Sequence, residues 1–215
     1  MSAYYSAARF VVGAVMGVVT GWEVTGREHV PRAGGVIVAS NHISFWDPPL
    51  VGAALPRESH FLAKEELFET PVLGPLIRGV NAIPIRRGVA DLSGLSRAIE
   101  ILKRGSALLM FPEGSRMRDG ELHPARPGVG MIAMHADVPI LPCYISGSGR
   151  PRKWWYRGAR VRISFGTARP WAQYADPEQD LSPGRALYQG IGDGVMRDIA
   201  ELRAGQQRSA SRGAA

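Results

Sequence analysis

Apolar residues fall in short runs separated by longer stretches of mixed character. Val36-Ile37-Val38-Ala39, Asn81 to Ile85, Ala107 to Phe111, the proline-containing VPILPCYI at 138–145 and Arg160 to Phe165 have the length and composition of strands. Between them the period changes to that of a helix. In DLSGLSRAIEILKR (91–104), Leu92, Leu95, Ile99 and Leu102 share one face, with Asp91 as a candidate N-cap and Gly105 after the end. Residues 128–136 read as a shorter helix through Val129, Ile132 and Ala133, and 182–203 as a longer one through Leu187, Ile191, Val195, Ile199 and Leu202. Strands alternating with helices predict an α/β fold: a mixed, partly parallel central sheet flanked by helices.

The two ends of the chain differ from this middle. Residues 3–20, AYYSAARFVVGAVMGVVT, are mostly apolar, but the uninterrupted part from Phe10 to Val19 is about half of the roughly 20 residues a spanning helix needs. No clear cleavage site follows. The segment therefore reads as an N-terminal apolar helix that packs on the domain or lies in a membrane interface. The final AGQQRSASRGAA is polar and small and predicts disorder. The expected organisation is an N-terminal helix at 1–20, one domain at 21–204 and a disordered tail at 205–215.

Charged groups gather where three of the apolar runs end. NHISFWDPP (41–49) follows GGVIVAS, so His42 sits where a strand ends, and Asp47 sits where Pro48-Pro49 opens a helix. On one continuous helix the two side chains would point about 140° apart. In a strand-to-helix turn they can face each other, and a carboxylate beside an imidazole fixes its tautomer and stabilises the imidazolium, which makes a general base. The plainer alternative is that Asp47 only caps the helix and His42 is an ordinary loop histidine. The run at 79–91 ends in Arg86, Arg87 and Gly88, and the run at 105–118 in Pro112, Glu113, Gly114, Ser115 and Arg116. Ligands of α/β sheets bind beyond the carboxyl ends of strands, so these loops predict one site. Arg87, before a predicted helix start, and Arg116, after a glycine turn, are candidates for binding phosphate. Arg86 reads as a solvated arginine.

Composition narrows the classes. The 215 residues, 45% of them hydrophobic, suit one domain with a full core. The single cysteine excludes an internal disulfide and a cysteine-rich metal site. His29, His60, His123 and His135 lack ligand spacing, so no metal is expected; His123 lies near the third loop but reads as a surface residue. A net charge of +7 is compatible with nucleic acid, an anionic membrane or acidic substrates, and no nucleic-acid motif of the usual kinds is present. GRPRKWWYRGARVR (149–162) interleaves Arg and Lys with Trp154, Trp155 and Tyr156, which fits a membrane interface or, equally, a solvated hairpin rim.

From about residue 20 to about residue 170 the chain resembles the 1-acyl-sn-glycerol-3-phosphate (lysophosphatidic acid) acyltransferase family of glycerolipid acyltransferases. NHISFWDP is similar to its first motif, with His42 and Asp47 as the His and Asp of H-x4-D. AIPIRRG is similar to the second, with the phosphate-associated arginine at Arg87. FPEGSR is similar to the third, with Glu113, Gly114 and Arg116 in the matching places, and VPILPCYI to the fourth, with Pro142. Arg126 lies where the family usually shows a basic residue after the third motif. One departure is Arg86, where many members carry an acidic residue.

The resemblance implies transfer of a fatty acyl group from acyl-CoA or acyl-carrier protein to the hydroxyl of lysophosphatidic acid, in phospholipid synthesis. His42 would be the general base and Asp47 its orienting partner, with Arg87, Glu113, Gly114, Arg116 and Arg126 binding substrate. No cofactor is implied; the acyl thioester is a co-substrate. Glu113 would hold a glycerol hydroxyl or brace the arginines; the plainer alternative is a glutamate that only stabilises its turn. Ser44 and Cys143 read as structural, and no acyl-enzyme is required. The expected place is the cytoplasmic face of the cell membrane, peripheral or monotopic, with the membrane surface and carrier protein as partners. Two alternatives stand beside this: an acyltransferase for another acceptor (glycerol 3-phosphate, another lysophospholipid or a glycolipid), and a non-catalytic lipid-binding protein of the membrane surface.

Overall fold

A computed structural model describes residues 3–86, 92–156, 160–175 and 181–212. A seven-stranded sheet forms the centre. Its strands are β1 (Glu23–Thr25), β2 (Val36–Ser40), β3 (Ser59–Lys64), β4 (Ala82–Ile85), β5 (Ala107–Met110), β6 (Ile140–Ser146) and β7 (Arg162–Phe165). They lie in the order β1-β7-β6-β2-β5-β3-β4, and every pairing is parallel except β6 with β7. The mixed, partly parallel sheet expected from the alternating pattern is therefore present, with all but one pairing parallel, and the run ending at Phe165 joins it near one edge.

The helices are α1 (Ala3–Thr20), α2 (Asp47–Ala54), α3 (Leu73–Gly79), α4 (Leu92–Lys103), α5 (Gly128–Ala136) and α6 (Arg185–Arg212). Side-chain alternation along the central strands divides the core in two. Val36, Val38, Ala107 and Leu109 face Met16 of α1 and Leu50, Val51 and Ala54 of α2. Ile37, Ala39, Leu108 and Met110 face Ala98 and Leu102 of α4, with α5 and α6. Burial on both faces is why these strands read as continuous apolar runs. The helix after β2 and the helix after β5 thus cover opposite faces of adjacent strands. The carboxyl ends of β2 and β5 are therefore the kind of position where α/β sheets place their ligands.

α2 is held at both ends. Pro48 and Pro49 occupy its first turn, where a missing N–H costs nothing. At its other end the Arg9 guanidinium donates to Leu55 O at 2.7 Å and Arg27 to Ala54 O at 2.8 Å, satisfying terminal carbonyls. Arg9 belongs to α1, which also inserts Tyr5; the Tyr5 hydroxyl accepts from Ser59 N at 3.1 Å. α1 buries Tyr5, Met16 and Thr20 and leaves Phe10, Val11, Val15 and Val18 exposed.

Two expectations need correction. The tail from 205 to 212 is not disordered: α6 continues to Arg212. Gln206 anchors it, accepting from Ser146 Oγ at 2.7 Å and donating to Ser164 Oγ at 2.9 Å, so polar residues that look unfit for a core dock instead on the rim of the sheet. Trp154 is not an interface residue. It lies in a short 3-10 segment, Pro151–Tyr156, is buried in the α2-side core, and donates Nε1–H to Gly147 O at 3.0 Å. Arg87 and Asp91 lie outside the described residues.

Candidate active site

β2 carries Val36 and Val38 on its α2 face, and His42 continues that parity just beyond the strand, where it meets the first turn of α2. His42 Nδ1 is 2.9 Å from Asp47 Oδ2. A carboxylate can only accept, so Nδ1 carries the proton and Nε2 is left as the basic nitrogen. The same Oδ2 also accepts from Ile43 N and Ser44 N, each at 2.7 Å. Asp47 is fully buried, and Oδ1 has no hydrogen-bond partner among the described residues. Three donors on one oxygen are what allow a buried carboxylate to persist. They also fold residues 42–47 into the turn that brings the pair together. Asp47 does not cap α2: it is the first residue of the helix, Trp46 holds the N-cap position, and the carboxylate turns back to Ile43, Ser44 and the His42 ring.

Glu113 ties the second loop to the first. The β2–β5 register pairs Ala39 with Met110, and continuing it places His42 level with Glu113. Glu113 Oε2 accepts from His42 N at 2.8 Å, and Oε1 from His123 N at 3.1 Å. Met117 N donates to His42 O at 2.7 Å, so both main-chain groups of His42 are held by this loop. Burial pushes the Glu113 carboxyl above the usual carboxylate range, and the two N–H donors offset this only in part. Of the two roles open to Glu113, the backbone one is visible: each of its oxygens accepts from a main-chain N–H and joins the two loops. His123 contributes its main chain here, while its ring pairs with Asp119 at 2.7 Å.

The other predicted residues divide by place. Gly114 has φ 73°, the left-handed conformation that glycine adopts without strain, and the Arg126 side chain packs over it. Arg116 is exposed, its guanidinium 5.9 Å from the Phe45 ring. Neither arginine has a carboxylate partner among the described residues. Phe45 and Trp46 are each about half exposed, forming an aromatic lip beside the His–Asp turn. Residues 87–91, which carry the rest of the loop after β4, lie outside the described residues. β4 is an edge strand, three spacings from β2, or about 14 Å across the sheet, and Arg86 lies 3.9 Å from Glu65 there. Ser44 uses its hydroxyl to accept from Trp46 N at 3.2 Å. Cys143 is buried in β6, with its thiol pushed up to about 12 by desolvation. Neither is placed as a nucleophile. A groove of about 730 Å³ between α6 and the β1–β7 edge is not lined by His42, Asp47 or Glu113.

Two residues of this site escaped the sequence reading. Asn41 is buried, donating to Ile145 O at 3.0 Å and accepting from Ile145 N at 2.8 Å. Its side chain thereby stands in for the β2–β6 ladder where the main chain leaves the sheet. Phe111 stacks on His42, ring centroids 4.0 Å apart and planes 20° apart.

A histidine–carboxylate pair where adjacent strands of an α/β sheet end is an arrangement able to serve general-base chemistry through Nε2. The Acyltransferase family model matches residues 21–146, and the chain belongs to that family. The crystal structure of the 1-acyl-sn-glycerophosphate (LPA) acyltransferase PlsC from Thermotoga maritima superposes with a TM-score of 0.64 at 27% identity, over 95% of this chain and 84% of that one. A chloroplastic 1-acyl-sn-glycerol-3-phosphate acyltransferase of Brassica napus is 31% identical over 131 residues, 60% of this chain. A lyso-ornithine lipid O-acyltransferase of Pseudomonas aeruginosa is 36% identical over 126 residues, 58% of this chain. The chain spans 38% and 48% of the length of these two relatives.

Proposed function

We propose that the protein transfers a fatty acyl group from a thioester, acyl-CoA or acyl-carrier protein, to the free hydroxyl of lysophosphatidic acid in phospholipid synthesis. The observation that carries this reading is the 2.9 Å contact between His42 Nδ1 and Asp47 Oδ2 in a buried turn. An alcohol is a poor nucleophile at neutral pH. Nε2 of His42 takes its proton as the oxygen attacks the thioester carbonyl, and Asp47 steadies the imidazolium that forms. The tetrahedral intermediate collapses with cleavage of the C–S bond, and His42 returns the proton to the departing thiolate. General-base assistance of this kind is typically worth about 10²–10⁴-fold.

Arg116 and Arg126, on the loop that carries Glu113, are the described cations that suit the acceptor phosphate; Arg87 is the further candidate from the second motif. The exposed apolar face of α1 and the lip of Phe45 and Trp46 support a membrane-surface enzyme whose substrate keeps its acyl chain in the bilayer. α1 is also long and apolar enough to cross a membrane by length and composition, with a mean hydropathy of 1.3. We place the enzyme at the cytoplasmic face, where thioester donors are made.

A second acceptor has a specific observation in its favour. The Pseudomonas relative is named for a lyso-ornithine lipid rather than an acylglycerol phosphate, and Arg86 stands where many members carry an acidic residue. Purified protein assayed for thiol release against lysophosphatidate, lyso-ornithine lipid and glycerol 3-phosphate, with each donor, separates these. Turnover with lysophosphatidate that disappears in folded His42→Ala is expected. Turnover that survives in His42→Ala, or none with any acceptor, overturns the reading.

A further inference from the structure

We propose that Phe111 is a positioning residue for the proposed acyl transfer: its ring fixes the plane of the His42 imidazole so that Nε2 points at the acceptor hydroxyl. The inference deepens the general-base reading. The hydrogen bond to Asp47 does not fix the ring by itself. His χ2 is a broad torsion, and the oxygen that holds Nδ1 is shared with Ile43 N and Ser44 N. One shared contact at one corner restrains rotation about the Cβ–Cγ bond only loosely, and that rotation changes where Nε2 points. The Phe111 ring, 4.0 Å from the imidazole and nearly parallel to it, blocks that rotation on one face.

Phe111 is itself well placed to serve as a fixed wall. Ala107 and Leu109 pack into the α2-side core, and Phe111 continues their alternation one step past β5. The following Pro112 disfavours a helical conformation at Phe111. The Phe111 carbonyl accepts from Gly114 N at 2.9 Å, closing the turn that carries Glu113. The same loop therefore grips His42 both through the main chain, by Glu113 and Met117, and through the ring, by Phe111.

The test compares Phe111→Leu and Phe111→Met, which stay apolar but lose the ring, with Phe111→Tyr, which keeps it. In the folded ringless variants kcat falls about 10-fold, as for a modest misplacement of a reacting group, while KM for acceptor and donor changes less than about twofold. Phe111→Tyr restores most of kcat. By NMR the ring C–H protons of His42 are shifted upfield in the wild type by the stacked ring, and lose that shift in Phe111→Leu. Wild-type kcat in the ringless variants, equal losses in Phe111→Tyr, or His42 protons at ordinary positions in the wild type each overturn the proposal. The NMR arm needs no substrate, and the kinetic arm is read against active wild type, so failure here is distinguishable from failure of the acyl-transfer reading.

Discussion

Replacing Asp47 by Asn removes one charge and almost nothing else, and the three donors on Oδ2 decide how the amide sits. If the Asn oxygen takes the Oδ2 position it keeps the hydrogen bonds from His42 Nδ1, Ile43 N and Ser44 N. Its NH2, with two N–H donors, then falls where Oδ1 has no partner among the described residues, a buried unsatisfied group costing about 1–3 kcal/mol. The inverted amide would point NH2 at two backbone N–H groups and leave both unpaired, at roughly twice that cost. The upright amide wins, so the Nε2-basic tautomer survives. What is lost is attraction between the carboxylate and the imidazolium, about 4 kcal/mol for unit charges 4 Å apart at an effective dielectric of about 20. The amide dipole recovers part of this. We expect kcat to fall about 10²–10³-fold, against about 10⁴-fold where such a change also costs the tautomer. Thiol release by wild type, Asp47→Asn and His42→Ala, with stability followed by urea denaturation, measures it. An Asp47→Asn enzyme as inactive as His42→Ala would mean the amide is inverted. One within fivefold of wild type would mean that the carboxylate does not support the imidazolium. Either outcome refutes the reasoning.

Burial raises the Glu113 carboxyl, so the folded chain binds that proton more tightly than the unfolded chain. Its contribution to stability is fully present below the ordinary carboxylate range and is lost as pH rises through the folded value. The stability gap between wild type and Glu113→Gln, measured by urea denaturation, should therefore narrow as pH rises from about 4 towards neutrality; a widening gap would contradict it. The Cys143 thiol, pushed up to about 12, should resist iodoacetamide at pH 8 in the native protein, and Cys143→Ala should keep its transfer rate within about twofold. An acyl-cysteine trapped by mass spectrometry would contradict that.

The parts of the site carried by periodicity were open to the sequence, because a strand's two-residue repeat tells which side chains share a face. The apolar runs marked β2, β4, β5 and β6, and the Pro pair marked the start of α2, so the meeting of His42 with Asp47 followed from a strand ending one turn before a helix. Strand order was not open in that way. The run ending in Arg87 looked equivalent to the other two, yet the chain inserts β5 between β2 and β3 and leaves β4 at the edge. Nothing local in AIPIRRG records which neighbours its strand will have. The polar residues of the last turns of α6 failed for a related reason: Gln206 is ordered by Ser146 and Ser164, partners some forty to sixty positions away. Asn41 and Phe111 are the more instructive omissions, since each sits beside a residue that was singled out. Once β2 and β5 are taken as parallel neighbours, Ser40 falls level with Phe111 and His42 with Glu113, both on continuations of the register that pairs Ala39 with Met110. A residue one step off the end of β5, on the same face as His42, must then lie against the imidazole. The pairing of the strands, rather than any property of FPEGSR read alone, turns that phenylalanine from a core residue into part of the site.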